Sequence, residues 1–86
     1  MIEKIHERIS VITSYNRDKG DITIHKLRWN GRNYIITKLG YHHKTREGRN
    51  IFHVFHVNND ALSFKLQLDT ENLTWWVLEV SDGYPN

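Results

Sequence analysis

The sequence predicts an all-β fold, in which about six antiparallel strands form a meander that curls into a small SH3-like or half-barrel. Three observations indicate it: turn-forming residues recur at short intervals, apolar and polar residues alternate between them, and an Asn-Gly pair marks a tight hairpin. The expected strands cover roughly residues 8–15, 22–29, 32–41, 51–58, 61–69 and 74–81. A chain of 86 residues has room for one domain, so residues 1–86 form a single unit with a frayed tail at 81–86.

The first segment supports two interpretations. Isoleucines at positions 2, 5, 9 and 12 have the 3-4-3 spacing of a helix, whereas Ile9, Val11 and Thr13 alternate as in a strand. The β-branched residues between Ile9 and Thr13 favour the strand, because their side chains are restricted in a helix. A short helical turn over residues 2–7 stays open as an alternative.

The Asn30-Gly31 pair predicts a type I′ hairpin turn, because both residues tolerate the positive φ that this turn requires. The turn would pair Leu27 with Tyr34. In the strand before it, Ile22 and Ile24 share one face while Leu27 and Trp29 share the other. A phase change of one residue predicts a β-bulge, which bends the strand.

Turn residues at Asn59-Asp60 predict a second hairpin, in which Phe55 pairs with Phe64 and His53 faces the core. A core-facing imidazole needs a hydrogen-bond partner, and burial would lower the pKa of His53.

The last turn, at residues 69–72, determines which of two adjacent tryptophans enters the core. With Asn72 in the left-handed region, Trp76 and Val80 would point inward. Trp75 and Val77 would then point outward.

The middle of the chain resembles a family of small uncharacterised bacterial β-domain proteins that carry a Trp-x-Gly-Arg-x-Tyr hairpin. The residues that carry the resemblance are those of the hairpin at 27–36, then Phe52-His53-Val54, Leu66-Gln67-Leu68-Asp69 and Trp76-Val77-Leu78. The family is a domain of unknown function, so the resemblance implies no activity. Some members are encoded beside DNA-repair polymerases, which points toward nucleic acid.

Signatures of catalysis and of metal binding are missing. Without cysteine, neither a disulfide nor a thiolate zinc site can form. The five glycines are isolated, and no serine lies in a Gly-x-Ser-x-Gly frame. Six histidines are present, but His53 and His56 would lie on opposite faces of a strand. We therefore expect no enzyme activity, no cofactor and no metal site.

Composition also bears on location and partners. No apolar run approaches the ~20 residues of a membrane helix, and charges interrupt the first eight residues, so we expect a cytoplasmic protein without membrane contact. The net charge is +2. Residues 1–57 carry eleven Lys or Arg against five Asp or Glu, whereas residues 58–86 carry one lysine against five acidic residues. This asymmetry points to an anionic partner or a self-complementary assembly, with solvated strand faces and loops as the alternative.

The best candidate site is a basic segment at residues 42–50, which the strand pattern leaves as a long loop. Cations on a loop bind phosphates, and an adjacent aromatic ring can stack a base of single-stranded nucleic acid. The leading hypothesis is therefore a non-enzymatic nucleic-acid-binding module, with a solvated hairpin loop as the alternative. The candidate residues are Tyr41, His42, His43, Lys44, Arg46 and Arg49.

A second hypothesis is a protein-interaction module, which would form a homodimer or bind a protein partner. The predicted registers place four apolar residues on one outward face: Phe52, Val54, Trp75 and Val77. Contiguous exposed aromatic surface is typical of interfaces. The alternative is that other parts of the fold cover this face.

Overall fold

The computed structural model describes residues 1–82, which form seven antiparallel strands and contain no helix. The strands are β1 (Ile2–Asn16), β2 (Asp21–Trp29), β3 (Arg32–Ile35), β4 (Lys38–Glu47), β5 (Asn50–Asn58), β6 (Leu62–Asp69) and β7 (Thr74–Asp82). The antiparallel all-β class is confirmed. The predicted tail at 81–86 is wrong for Ser81 and Asp82, which end β7, and its remaining residues, 83–86, lie outside the described part.

One sheet contains all seven strands in the order β3-β2-β1-β7-β6-β5-β4. β3 and β4 are joined by two residues, yet they form the two opposite edges of the sheet. The amide of Ile36 donates to the carbonyl of His25 on β2 at 2.9 Å, and that of Thr37 donates to Asn58 on β5 at 3.0 Å. The chain therefore leaves the β2 ladder at this link and joins β5, so the sheet is not closed into a barrel.

The same link explains the difference in strand number. The sequence predicts one strand over 32–41, but the chain turns at Ile36-Thr37 and divides it into β3 and the start of β4. Six predicted strands therefore become seven.

β1 is a strand throughout, so the helical turn considered for residues 2–7 is wrong. The pairing of β1 with β7 shifts between Lys4 and Glu7. Ile5 and Ile9 pack against the core, whereas Ile2 is exposed on the opposite face. The helix-like spacing of the isoleucines thus comes from residues on both faces of an irregular strand.

The first hairpin follows its prediction. Asn30 and Gly31 have φ of 54° and 76°, and Leu27 pairs with Tyr34. The β1–β2 register shifts beside His25, so Ile24 and Leu27 are both buried. The predicted bulge in β2 is therefore confirmed.

The β5–β6 register is two residues away from the predicted one, with Phe55 opposite Leu66 and Val57 opposite Phe64. The loop is longer than expected, because the side chain of Asn59 accepts hydrogen bonds from the amides of Ala61 and Leu62 at 2.8 and 2.7 Å. Since a shift of two residues keeps every side chain on its face, the predicted core face of both strands is correct.

The phase of β7 differs from the prediction over its first half. Leu73, not Asn72, has the positive φ, at 57°, and Trp75 pairs with Leu68 on the core side. A register shift beside Leu78 then reverses the phase, so that Val80 also reaches the core. The predicted outward Trp75 and inward Trp76 are therefore wrong.

The core lies between the two halves of a strongly curled sheet. The ring of Tyr34 on β3 lies 5.3 Å from that of Phe64 on β6, although three strands separate β3 from β6 in the sheet order. The buried cluster contains Ile24, Leu27, Phe55, Val57, Phe64, Leu66, Val77 and Val80. We call the face that carries this cluster the concave face, and the opposite one the convex face.

Candidate functional site

The basic segment at 42–50 is not a loop. Residues Lys38–Glu47 form β4, and Gly48-Arg49 alone make the turn into β5, with φ of 64° at Gly48. Within residues 1–82, β4 pairs with β5 on one side and with no strand on its other side. The basic residues therefore lie along an open, ten-residue edge strand.

The two faces of β4 separate the predicted site residues into two groups. His42, Lys44 and Arg46 pair with residues on the concave face of β5. Tyr41 and His43 pair with His56 and Val54, on the convex face. Arg49 lies at the turn. The structure thus brings the two strand cations together and places the tyrosine on the other side of the same edge.

A histidine pair occupies the concave face beside the cations. Nε2 of His42 lies 2.8 Å from Nδ1 of His53, so one ring donates a hydrogen bond to the other. The ring of His42 also stacks on Phe55, with 4.2 Å between centroids and 8° between planes. Trp75 continues the row, 5.4 Å from Phe55. The predicted core-facing position of His53 and its need for a partner are both confirmed.

Burial and neighbouring charges keep this pair neutral. Burial, the largest cause, lowers the pKa of His42, and His53 and His43 add to the effect while Asp21 opposes it. Burial also lowers the pKa of His53, followed by the positive charge of Lys44. Since the usual pKa of histidine is about 6.5, both rings are mainly uncharged at neutral pH. The fixed positive charge of this face therefore comes from Lys44 and Arg46.

None of these cations forms an ion pair with another described residue. Within residues 1–82, the ion pairs are Met1–Asp82, Arg17–Asp18 and Lys65–Glu79. Lys44, Arg46 and Arg49 belong to none of them, so their charge is available to a ligand.

The convex side of β4 carries a cluster of three rings. Tyr41 stacks on His43 at 4.9 Å, and His56 lies 5.7 Å from each of them. Burial lowers the pKa of His56, with further lowering by Lys65 and His43. The cluster is thus an aromatic surface in which the ring of His56 is mainly uncharged at neutral pH.

A groove of about 420 Å³ opens beside this cluster on the convex face. We call it the convex groove. Its lining includes Tyr41, His56, Ser63, Lys65, Glu79 and Ser81. Nζ of Lys65 donates to Oε2 of Glu79 at 3.4 Å, and these side chains are 33% and 29% exposed. A donor and an acceptor therefore lie side by side in the groove.

The sequence did not identify the convex groove. The predicted β5–β6 register pairs His56 with Ser63, whereas the structure pairs it with Lys65. The correct loop length after Asn58 would have placed Lys65 and Glu79 beside His56.

The predicted aromatic interface does not form a common surface. Phe52 and Val54 lie on the convex face, whereas Trp75 and Val77 lie on the concave face. Val54 and Val77 are only 3% and 0% exposed. Trp76 takes the convex position instead, where it stacks on His6 at 4.6 Å.

Residues 1–82 contain no group of three or more His, Cys, Asp or Glu side chains placed to hold a metal ion. The same residues contain no helix long and apolar enough to cross a membrane. No family model, curated protein or solved structure matches the chain. The resemblance to the Trp-x-Gly-Arg-x-Tyr hairpin family therefore stays a prediction.

Proposed function

We propose that this protein is a cytoplasmic, non-enzymatic binding module that holds single-stranded nucleic acid along the edge strand β4. The observation that carries the proposal is the position of Lys44 and Arg46, which lie on one face of an open edge and form no ion pair with a carboxylate of residues 1–82. Arg49, at the adjoining turn, extends this positive charge along the edge. Such an arrangement attracts a phosphate backbone whatever its sequence.

Aromatic rings beside these cations supply the second component of such a site. His53 is directly opposite Lys44, and Trp75 lies farther along the same row of the sheet. Proteins that bind single strands combine a cationic track with rings on which bases stack. The concave end of β4 therefore offers both components on one face.

A second pair of cations, Lys26 and Arg28 on β2, provides a control for the contribution of the rings beside β4. Their cross-strand neighbours are Ile12 and Ser10 on β1, and Ile35 and Asn33 on β3. None of these neighbours is aromatic. The β2 pair has the charge of the β4 pair without the rings, which makes it a matched control.

The test is fluorescence anisotropy of a labelled, unstructured oligonucleotide titrated with the protein at several salt concentrations. With about three phosphate contacts on a single strand, log K should fall with log salt at a slope of about −2. Removing two of these contacts in the double variant Lys44→Ala with Arg46→Ala should reduce the slope to about −0.7.

The control variant Lys26→Ala with Arg28→Ala removes the same charge and should keep the steeper slope. Absence of binding by the wild-type protein at low salt would contradict the proposal. Equal weakening by the two double variants would also contradict it, because binding would then follow net charge and not the β4 edge.

Self-association through β4 is the other outcome that an open edge allows. In an antiparallel pair of two β4 strands related by a two-fold axis, directly opposite residues share a face. The concave face of β4 carries His42, Lys44 and Arg46, so like charges would oppose each other. We therefore expect sedimentation to show a monomer, and a dimer that persists in Lys44→Ala would contradict this argument.

A further inference from the structure

We infer that the convex groove is a subsite for one nucleobase of the strand held along β4. This inference rests on the proposed function, since the cations of β4 would hold the backbone from which the base projects. It concerns a different face of the sheet and residues that the phosphate contacts do not use. It can therefore fail while the proposed function survives.

The convex groove has a prepared stacking surface. Tyr41 is 60% exposed and forms one wall of the groove. His43 and His56 pack around its ring at 4.9 and 5.7 Å, which limits its freedom before any ligand arrives. An aromatic ring held in place loses less conformational entropy on binding, so it gives more net affinity for a planar ligand.

The convex groove also contains polar groups that can form hydrogen bonds with a ligand. The ammonium of Lys65 has three donors and the carboxylate of Glu79 accepts at two oxygens, so their mutual contact at 3.4 Å leaves capacity for a ligand. Ser63 and Ser81 add hydroxyl groups. A nucleobase presents adjacent donors and acceptors along one edge and an apolar ring face, which matches this combination.

The side chains of the convex groove carry little net charge. Lys65 and Glu79 neutralise each other, and burial lowers the pKa of His56, so its ring does not add a charge at neutral pH. A phosphate would have no unpaired cation to bind in the groove, whereas a neutral heterocycle needs no counter-charge there. Charge therefore assigns the phosphates to the edge of β4 and the base to the groove.

The geometry of β4 connects the two positions. Tyr41 and Lys44 are three residues apart on the strand, or about 10 Å at the usual rise per residue. They lie on opposite faces, but no other strand within residues 1–82 pairs with the edge between them. A single strand can therefore place its backbone along the edge while one base enters the groove. The volume of about 420 Å³ lies within the range of small-ligand sites.

The test combines loss of the ring with loss of the base. Tyr41→Ala should weaken binding of an unstructured oligonucleotide by about 5- to 100-fold, which is the usual contribution of one stacked base. The slope of log K against log salt should not change, because the phosphate contacts are intact. Tyr15→Ala removes another exposed tyrosine, outside the groove, and should leave the affinity unchanged.

An oligomer of abasic sugar-phosphate units completes the experiment with the wild-type protein. It should bind at least as weakly as the normal oligonucleotide binds to Tyr41→Ala, because bases stacked on His53 and Trp75 are lost as well. The variant should bind it no more weakly than the wild-type protein does. Additive losses from the two changes would overturn the inference, because Tyr41 would then act without a base. Normal affinity of Tyr41→Ala would overturn it as well, while the salt dependence of the Lys44 and Arg46 variants would still test the proposed function separately.

Discussion

Trp75 and Trp76 should contribute unequally to stability, although they are adjacent in sequence and each is half-buried. Trp75 packs against the core, with its ring 5.4 Å from that of Phe55. Truncating a buried tryptophan to alanine costs about 3–5 kcal/mol. Because Trp75 keeps some exposure, we expect Trp75→Ala to lower the free energy of unfolding by about 3 kcal/mol.

Trp76 has fewer contacts to lose. Its Nε1 donates to the hydroxyl of Thr74 at 3.1 Å, and its ring stacks on His6. A hydrogen bond contributes about 1 kcal/mol and an aromatic pair about 0.5–1.5 kcal/mol, and an exposed face recovers part of each from water. We expect Trp76→Ala to cost about 1–2 kcal/mol.

Urea denaturation followed by circular dichroism would measure both variants. For a domain of this size the total stability is about 4–13 kcal/mol, so Trp75→Ala should shift the midpoint strongly and Trp76→Ala moderately. A larger loss for Trp76→Ala would refute the reasoning. It would mean that the phase reversal beside Leu78 does not exist and that the sequence-predicted register of β7 is correct.

Three further perturbations should affect stability. Because burial lowers the pKa of His42, His53 and His56, the folded state binds protons less readily than the unfolded state. The contribution of these neutral histidines to the free energy of unfolding is complete above about pH 6.5 and decreases as the pH drops. The urea midpoint should therefore be lower at pH 5.5 than at pH 7.5, and an equal midpoint would contradict this. Nδ1 of His43 is buried and has no hydrogen-bond partner among residues 1–82, so His43→Phe should raise the free energy of unfolding by about 1 kcal/mol, and a loss would show that the atom has a partner. Leu73 has a φ of 57° and is exposed, so Leu73→Asn should gain about 1 kcal/mol in the same assay; no gain would indicate that the left-handed conformation costs little.

The sequence predicts best where local chemistry determines the geometry. Asn30 and Gly31 adopt positive φ, so the register of their hairpin is correct. The bulge in β2 could be predicted because Ile24 and Leu27 are both apolar, although their spacing would place them on opposite faces of a regular strand. Around Asn59 the side chain stabilises a longer loop, a contact that the turn signal alone does not reveal.

β4 was missed because an exposed edge strand has no apolar periodicity. The sequence from Tyr41 to Glu47 is polar on both faces, so it resembles a loop. The candidate cations Lys44 and Arg46 nevertheless lie together on one face of β4, because their proximity in sequence does not depend on register. The convex groove depends on pairing across several strands. The predicted register of β5 and β6 was wrong by two residues, so it did not place Lys65 beside His56.

Amide chemical-shift mapping during titration with an unstructured single-stranded oligonucleotide tests the central claim most directly. The proposed function predicts that the largest shifts fall on β4 and its turn, at Lys44, Arg46 and Arg49. It also predicts small shifts at Lys26 and Arg28, which have equal charge but no aromatic residue among their cross-strand partners. The account would be contradicted by shifts centred on β2, or by none at low salt.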